Sequence, residues 1–291
     1  MRLIGRIPTK KLIRDGEKEP HISSIYCNVQ RNELCYADLN NYVVRTTRLR
    51  DNSGDFQDVY RGTAHNKEPL VLDVCHAIDS DKLFMCTLDK GPKKNLAHWL
   101  VELSRNGAEW REANRVKTAG IEWICCGLSD SRVLIGEYLS THMDMFRVES
   151  GPRIEHIHPI QVPQMYYVFS ATYGNNTLVA MIYREDQSVR VYQLLADRLE
   201  ERASVQLKEP THILWIHDFC LNDRLLVSEY DKDKDSYAVC EFEVSDQLLK
   251  RRRELISYSE FIIIRCWCAV ASGFAIMDDK SKALLHYSFE K

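Results

Sequence analysis

Two carboxylates stand at similar points of two successive, similar segments of the chain. Asp73 lies in the apolar run 71–75, and Glu122 lies in the apolar run 121–125. Carboxylate oxygens suit a hard cation such as Ca²⁺, which takes about six to eight oxygen ligands. Two carboxylates are an incomplete set, and they fit equally well as partners of Arg265 or His217. We therefore predict no metal ion and no cofactor, and we keep Asp73 and Glu122 as an alternative ligand site.

The histidines and the motif content give little support to catalysis. Ten His are scattered along the chain, and His156 and His158 would share one face of a strand. The chain contains no Gly-x-Ser-x-Gly elbow. It also contains no P-loop and no dinucleotide-binding fingerprint. The sequence therefore predicts no catalytic residue, and it favours a protein that is not an enzyme.

Four of the ten cysteines lie at the same point of similar segments. Cys27, Cys75, Cys125 and Cys266 each lie in an opening apolar run, and no Cys-x-x-Cys pair indicates zinc. Free Cys is among the most buried residue types, so we interpret these as core thiols rather than disulfides. Free thiols are typical of a reducing compartment. The sequence therefore predicts a cytoplasmic or nuclear protein.

The overall charge is nearly balanced. The chain has 39 Lys and Arg against 42 Asp and Glu, a net charge of −3. Local basic runs occur at Lys250, Arg251, Arg252 and Arg253, and at Lys90, Lys93 and Lys94. We interpret them as solvated loops or outer strands that discourage aggregation, with binding of phosphate or of an acidic partner as the alternative. The balance argues against nucleic acid as a partner.

No segment indicates membrane insertion or secretion. No stretch approaches 18 apolar residues, so we predict no membrane span. The first residues carry no long apolar core, which predicts no secretory signal.

A repeat of fixed length organises the whole chain. Similar segments open at positions 20, 69, 120, 163, 210 and 260, each with an apolar run, a polar turn and a second apolar run. A third run alternates apolar and polar residues, as in 143–148 and 189–194. Such alternation predicts half-buried strands, and a period of this size indicates an array of small sheets. Fourth strands are predicted more weakly at 154–160, 203–207 and 255–258, as expected of polar outer edges.

This pattern resembles the β-propeller superfamily, with a repeat length similar to that of WD40 and NHL propellers. The Trp-Asp dipeptide of WD40 repeats, the paired Gly of kelch repeats and the sialidase box are absent, so no subfamily is assigned. The resemblance implies an all-β, six-bladed propeller of four-stranded antiparallel blades in a single domain, 1–291. The predicted blades are 20–68, 69–119, 120–162, 163–209, 210–259 and 260–291. The last blade has room for only three strands, so we expect residues 1–19 to supply its outer strand and close the ring.

The resemblance also implies where recognition occurs. The segments before first strands and those between second and third strands should share one face, and loops on rigid scaffolds carry recognition. Arg and aromatic residues are the expected hot spots, and Tyr183 is a further aromatic near these loops. The candidate binding residues are His21, Lys93, Lys94, His142, Met143, Arg184, His212 and Tyr230.

We therefore predict a non-catalytic protein–protein interaction scaffold, a subunit of an intracellular complex. One alternative is a lactonase-like hydrolase, which would bind a small molecule or metal ion in the central channel near Asp73 and Glu122. A second alternative is a nucleic-acid-associated propeller that uses residues 250–253.

Overall fold

The structure is a computed structural model that describes most of the chain. The described residues are 1–28, 31–49, 55–61, 70–76, 82–90, 96–107, 109–118, 122–127, 132–137, 142–148, 154–161, 168–173, 178–183, 185–196, 198–216, 224–245, 248–257, 262–270 and 273–289. The side chains of 70–76, 89–90, 96, 122–127, 137, 148, 168–173 and 215–216 lie outside this description. The predicted binding residues Lys93, Lys94 and Arg184 also lie outside it.

The described residues form strands, turns and one short 3₁₀ turn at Thr9–Lys11. In the first half of the chain the strands are β1 Arg2–Pro8, β2 Ile22–Asn28, β3 Glu33–Asp38, β4 Val43–Arg48, β5 Phe56–Arg61, β6 Leu70–His76, β7 Lys82–Lys90, β8 Leu96–Asn106, β9 Glu109–Lys117, β10 Glu122–Gly127, β11 Arg132–Glu137, β12 His142–Val148 and β13 Ile154–Gln161. In the second half they are β14 Val168–Tyr173, β15 Leu178–Tyr183, β16 Ser188–Leu194, β17 Leu199–Gln206, β18 Pro210–Ile216, β19 Arg224–Asp231, β20 Ser236–Ser245, β21 Leu248–Ile256, β22 Ile264–Val270, β23 Gly273–Asp278 and β24 Ala283–Ser288. Within the described ranges, no helix has the length and apolar character needed to cross a bilayer.

The strands form six four-stranded antiparallel sheets. Sheets 1 to 5 each take four consecutive strands, starting at β2, β6, β10, β14 and β18. Sheet 6 has the order β1-β24-β23-β22, so the N-terminal strand is the outer strand of the last sheet, as the sequence predicted. The first strand of each sheet contacts the first strand of the next, and β22 contacts β2.

The core lies between neighbouring sheets rather than inside any one of them. Six hydrophobic clusters of buried residues each join two consecutive sheets, and one of them joins sheet 6 to sheet 1. Both faces of a second strand are therefore covered. This explains why residues such as 225–229 and 273–278 are buried throughout instead of alternating.

One strand prediction was wrong in its position. We predicted the fourth strand of sheet 5 at 255–258, whereas β21 spans Leu248–Ile256 and contains the whole basic run. Ion pairs to β20 hold this charged segment in the sheet. Arg252 pairs with Glu243 at 3.2 Å, and Arg253 pairs with Glu241 at 2.6 Å.

The described cysteines are free thiols, and five of the six are buried. Burial and the nearby charge of Glu33 raise the pKa of Cys27 to about 12. Burial also raises the pKa of Cys35 and that of Cys268. These results confirm the prediction of core thiols for five of the six described positions, and Cys266 is partly exposed.

We expect the buried thiols to resist alkylation while the protein is folded. Iodoacetamide reacts with the thiolate, and a pKa near 12 lowers the thiolate fraction of Cys27 on the order of a thousandfold. At pH 8 without denaturant, Cys27, Cys35 and Cys268 should remain unmodified while the partly exposed Cys266 reacts first. Mass spectrometry of the digested protein measures this order. Rapid modification of Cys27 in the folded protein would contradict the burial described here.

Candidate functional site

One end of the fold carries the segments that precede first strands together with the hairpins between second and third strands. We call this end the loop face. Backbone hydrogen bonds join the two kinds of segment: Leu39 N–H donates to the His21 carbonyl, Tyr230 N–H to that of Glu209, and Asp279 N–H to that of Ile263, each at 2.9 Å. In sheets 1, 5 and 6, each hairpin of the loop face is therefore bonded to the segment that leads into the first strand of the same sheet.

The hairpins of the loop face share one design. In sheets 1, 5 and 6 the second strand ends in an Asp, at Asp38, Asp231 and Asp278, and a four-residue loop follows. Asp38 Oδ1 accepts hydrogen bonds from the backbone N–H groups of His21 and Asn40, at 3.0 and 3.1 Å. Asp278 does the same for Ile263 and Lys280, at 2.9 and 3.1 Å. The aspartates thus fix both the hairpin and the chain that leads into the first strand.

The last loop residue adopts positive φ without being glycine. Tyr42, Gln187, Asp235 and Lys282 have φ of 53°, 53°, 47° and 49°. Such residues are uncommon in this left-handed region, and the same position is used in four sheets. This repetition explains how the chain forms its hairpins with only 12 Gly.

Arg265 lies at the centre of the described loop face because of a β-bulge. The pairing of first and second strands shifts by one residue in all six sheets, and in sheet 6 the extra residue is Arg265, between Ile264 and Cys266. A bulge redirects a side chain out of the regular alternation. Arg265 pairs in two-point fashion with Asp279, at 2.7 Å from Nε to Oδ1 and 2.6 Å from Nη2 to Oδ2.

The third edge of the Arg265 guanidinium reaches His21 at the start of sheet 1. Its Nη1 donates to Nε2 of His21. A guanidinium can only donate, so Nε2 carries no proton and the imidazole is neutral. Burial and the positive charge of Arg265 lower the pKa of His21, in agreement with this geometry. The Asp279–Arg265–His21 row therefore connects the last sheet to the first.

His212 is also fully engaged within the protein. Its Nε2 donates to the Arg265 carbonyl at 2.9 Å, and its Nδ1 accepts from the Ser228 hydroxyl at 3.3 Å. Burial lowers the pKa of His212 to about 4, so it is neutral at neutral pH. The Nε2 atoms of His21 and His212 are therefore both engaged within the protein and are not available to take a proton from a substrate.

The depression beside Arg265 is small. It has a volume of about 170 Å³ and includes His21, Asn40, Arg265, Asp279 and Lys282 among its lining residues. Small-molecule sites typically measure about 300–1,000 Å³. This depression suits ordered water or one side chain of a partner better than a substrate.

The remaining predicted binding residues fall in different places. Tyr230 is partly exposed on the loop face; its hydroxyl donates to Asp235 at 2.7 Å, and this hydrogen bond raises its pKa to about 12. His142 is exposed at the start of β12. Met143 was predicted to be an exposed binding residue, and this was wrong. It is 0% exposed because its side chain lies on the face of β12 that packs in the hydrophobic cluster between sheets 3 and 4.

Tyr183 was predicted to lie near the binding loops, and it does end β15 next to such a loop, but its side chain is buried and does not reach the surface. It is 3% exposed, and its hydroxyl lies 2.6 Å from that of Tyr192. The burial follows from its place at the end of β15, where a second strand is covered on both faces.

The two candidate carboxylates do not occupy equivalent positions of their sheets. Asp73 follows the bulge of its first strand and pairs with Cys86, whereas Glu122 precedes the bulge and pairs with Glu137. Their strands β6 and β10 are neighbours. The side chains lie outside the described part, so the alternative site stays a prediction. Among the residues whose side chains are described, no group of three or more His, Cys, Asp or Glu is placed to hold a metal ion.

The basic run on β21 is largely neutralised. Arg251 pairs with Glu229 at 3.1 Å and with Glu254 at 3.5 Å, in addition to the Arg252 and Arg253 pairs described above. Lys250 has no ion pair to any described residue. The carboxylate partners largely balance the positive charge of these arginines, which weakens their attraction for phosphate groups. This arrangement therefore favours the solvated outer strand over the nucleic-acid alternative.

Residues that the sequence did not single out complete the loop face. Asp279 holds Arg265, and Asp38 and Asp278 fix the hairpins. A signal for the hairpins was present, since Asp38, Asp231 and Asp278 each precede a run of turn residues at the same point of a repeat. Nothing in the sequence marks Asp279 as the partner of Arg265.

The fold is a β-propeller. Among solved structures, the β-propeller domain of Cps50 (Swd1) from Myceliophteria thermophila matches with a TM-score of 0.59 and 10% identity, over 91% of this chain and 82% of that one. Virginiamycin B lyase from Staphylococcus aureus matches with a TM-score of 0.54 and 9% identity, over 96% and 97%. A chain of the nidogen/laminin complex matches with a TM-score of 0.55 and 7% identity, over 86% and 84%.

At such identities the likeness shows the fold alone. A scan for known protein families found no match, and a comparison with curated proteins found none either. The similar structures include a chain from a protein complex and a lyase, so the fold is compatible with both interaction and catalysis.

Proposed function

We propose that this chain is a non-catalytic protein–protein interaction scaffold and a subunit of an intracellular complex. The observation that carries the proposal is the Asp279–Arg265–His21 row, an arginine held in a fixed orientation on a face of hydrogen-bonded hairpins. A pre-positioned arginine loses little conformational freedom on binding, and Arg and Tyr are typical hot spots of interfaces.

The surroundings of Arg265 support recognition more than catalysis. Tyr230 lies against Tyr237, with ring centroids 5.1 Å apart, in the neighbouring sheet 5. Exposed Lys232 and Lys234 in the same hairpin pair with Glu209 and Asp231. The face is thus polar, aromatic and of mixed charge, as interface rims are. The engaged imidazoles and the small depression give no support to the hydrolase alternative in this part of the chain.

We further propose that the six sheets close into one ring and that the protein resides in the cytoplasm or the nucleus. The cluster between sheet 6 and sheet 1, together with the contact of β22 with β2, supports ring closure. The free buried thiols support a reducing compartment.

The test is recovery of a partner with matched variants. The protein, with a C-terminal affinity tag, is isolated from the cells that produce it at low salt under reducing conditions, and co-purified proteins are quantified by mass spectrometry. We expect one partner in stoichiometric amount. Arg265→Ala and Tyr230→Ala should each lower its recovery about thirtyfold, the effect of a 2 kcal/mol hot spot.

The control is Arg252→Ala, which removes an exposed arginine from the outer strand β21, away from the loop face. Recovery of the partner with this variant should stay within about twofold of the unmodified protein. Thermal unfolding checks that all variants are folded. Absence of any stoichiometric partner, or equal losses for Arg252→Ala and the loop-face variants, would contradict the proposal.

A further inference from the structure

Residues 1–4, which lead into and begin the outer strand of sheet 6, hold three of the four exposed large apolar side chains among the described residues. Met1, Leu3 and Ile4 are 37%, 46% and 48% exposed, and Leu248 is 55% exposed. These four are the exposed large apolar residues of the described chain. Leu248 begins β21 just as Arg2 begins β1, so all four lie at the same end of the outer strands of two adjacent sheets. We call Met1, Leu3, Ile4 and Leu248 the edge patch.

The backbone of β1 is paired on one side only. It bonds to β24 and is the last strand of sheet 6, so its other edge has no strand partner among the described residues. An unpaired edge invites another strand unless charged residues protect it. The outer strand β17 is protected by exposed Glu200, Glu201 and Arg202, and β21 by its arginines and Glu254. In β1 only Arg2 and Arg6 are charged, and between them a register shift between Leu3 and Gly5 leaves Ile4 as the extra residue, exposed beside Leu3 at the strand edge.

The two charged residues of β1 are both positive. Arg2 and Arg6 are exposed and form no ion pair with any described residue. Residues 1–14 contain three Arg and two Lys and no carboxylate. An acidic strand would be complementary to this edge, because opposite charges across paired strands stabilise the pair.

A second copy of this chain fits the edge poorly. An antiparallel pairing of two β1 strands would bring two copies of Arg2 and two copies of Arg6 into one strand pair that holds no carboxylate. Like charges directly opposite each other destabilise a strand pair. The charge pattern therefore favours a different, acidic partner over self-association.

We propose that the β1 edge is a second docking surface, separate from the loop face, that takes an extended acidic peptide segment of a partner protein as a fifth strand of sheet 6. Backbone hydrogen bonds to β1 provide the affinity, and apolar side chains of the peptide cover Leu3 and Ile4. The register shift places Arg2 and Arg6 on opposite faces of the sheet, so carboxylates on one face of the peptide pair with Arg2 and a carboxylate on the other face pairs with Arg6.

The experiment measures binding of defined peptides by fluorescence anisotropy. The probe is a labelled seven-residue peptide, Glu-Val-Val-Glu-Val-Val-Glu, whose Glu residues fall on both faces of a strand. One control peptide has Lys in place of Glu, and a second keeps the Glu residues but has Pro, which cannot donate to a ladder, in place of one Val. The protein carries its tag at the C-terminus so that β1 is unobstructed. We expect the acidic peptide to bind at least tenfold more tightly than either control.

Variants of β1 assign the binding to this edge. Arg2→Glu combined with Arg6→Glu should weaken binding of the acidic peptide at least tenfold and allow the Lys peptide to bind. Leu3→Ser combined with Ile4→Ser should weaken binding of both. These side chains are exposed, so thermal unfolding should be nearly unchanged. Matched charge changes on β17, Glu200→Lys with Glu201→Lys, should leave peptide binding within about twofold.

Three results would overturn the proposal. The first is no binding of the acidic peptide at millimolar concentration. The second is equal binding of the acidic, basic and Pro-containing peptides. The third is a dimer in analytical ultracentrifugation that Ile4→Lys disperses, which would assign the edge to a second copy of the chain. None of these results bears on partner recovery through Arg265 and Tyr230.

Discussion

Replacing Arg45 with Met is expected to lower the free energy of unfolding by about 3–5 kcal/mol, the cost of breaking a buried ion pair. Arg45 is 0% exposed. Its guanidinium donates to Glu17, to Asp58 at 2.9 Å and to the Leu12 carbonyl at 3.3 Å. Met keeps the long side chain but leaves these acceptors without their cation. The effect is large because Arg45 lies in sheet 1 and binds the N-terminal segment that follows β1 of sheet 6. The contacts to Leu12 and Glu17 therefore connect these two sheets.

Arg61→Met is the matched control for Arg45. Arg61 contacts the same carboxylates, Glu17 at 2.9 Å and Asp58 at 3.0 Å, but its side chain is 45% exposed. An exposed pair contributes about 0–1 kcal/mol, so this variant should lose far less stability. Urea unfolding measures the loss in free energy of unfolding for each of the two variants. Similar losses for Arg45→Met and Arg61→Met would contradict the special role of the buried arginine.

Acid should reduce the difference between Arg45→Met and the unmodified protein. Burial alone would raise the pKa of Glu17, but hydrogen bonds from the Arg14 backbone, Arg61 and Arg45 lower it from 4.5 to about 2. A carboxyl group whose pKa is lower in the folded state adds stability above pH 4.5 and loses it as the pH falls toward 2. The free energy of unfolding of both proteins is measured at pH 7 and at pH 3. The difference between Arg45→Met and the unmodified protein should be smaller at pH 3.

Replacing Phe274 with Ala is expected to cost about 3–5 kcal/mol as well, through loss of packing and creation of a cavity. Phe274 is 0% exposed in the cluster between sheets 5 and 6. Its ring lies 5.6 Å from that of Tyr287, 6.0 Å from that of Trp267 and 5.8 Å from that of Phe289.

Phe274→Leu is the control, since it keeps most of the apolar volume. It should cost roughly 1.5 kcal/mol or less. Urea unfolding followed by tryptophan fluorescence measures both variants, because Trp267 contacts the altered site. A loss below about 1 kcal/mol for Phe274→Ala would mean that the cluster does not join sheets 5 and 6 as described.

The strands were predictable because their signals are local. Alternation along β12 and β16 and the covered runs of the second strands can be read from short windows, and the repeat then orders the sheets. The position of β21 was harder, because Lys250 to Glu254 look like a loop until their partners on β20 are known. The burial of Met143 depends on which face of β12 meets sheet 4, and a one-residue change of register reverses that face.

The site residues were less predictable because their contacts are distant in sequence. Arg265 and His21 meet across almost the whole chain, and Arg45 and Glu17 lie 28 residues apart. The bulges that place Arg265 and separate Asp73 from Glu122 leave no mark in the hydrophobic pattern. Pairings of this kind follow from tertiary geometry rather than from local propensity.

The pairing of β1 with β24 has a consequence for how the protein is made. A ribosome adds about 5–20 residues per second, so β1 leaves it on the order of a quarter to one minute before β24 is synthesised. During that interval sheets 1 to 5 can assemble in order, whereas both edges of β1, with Leu3 and Ile4, have no strand to pair with. In the nascent chain, β1 must therefore stay unpaired until β24 has been synthesised. A chaperone that covers residues 1–8 during this interval would raise the yield of folded protein.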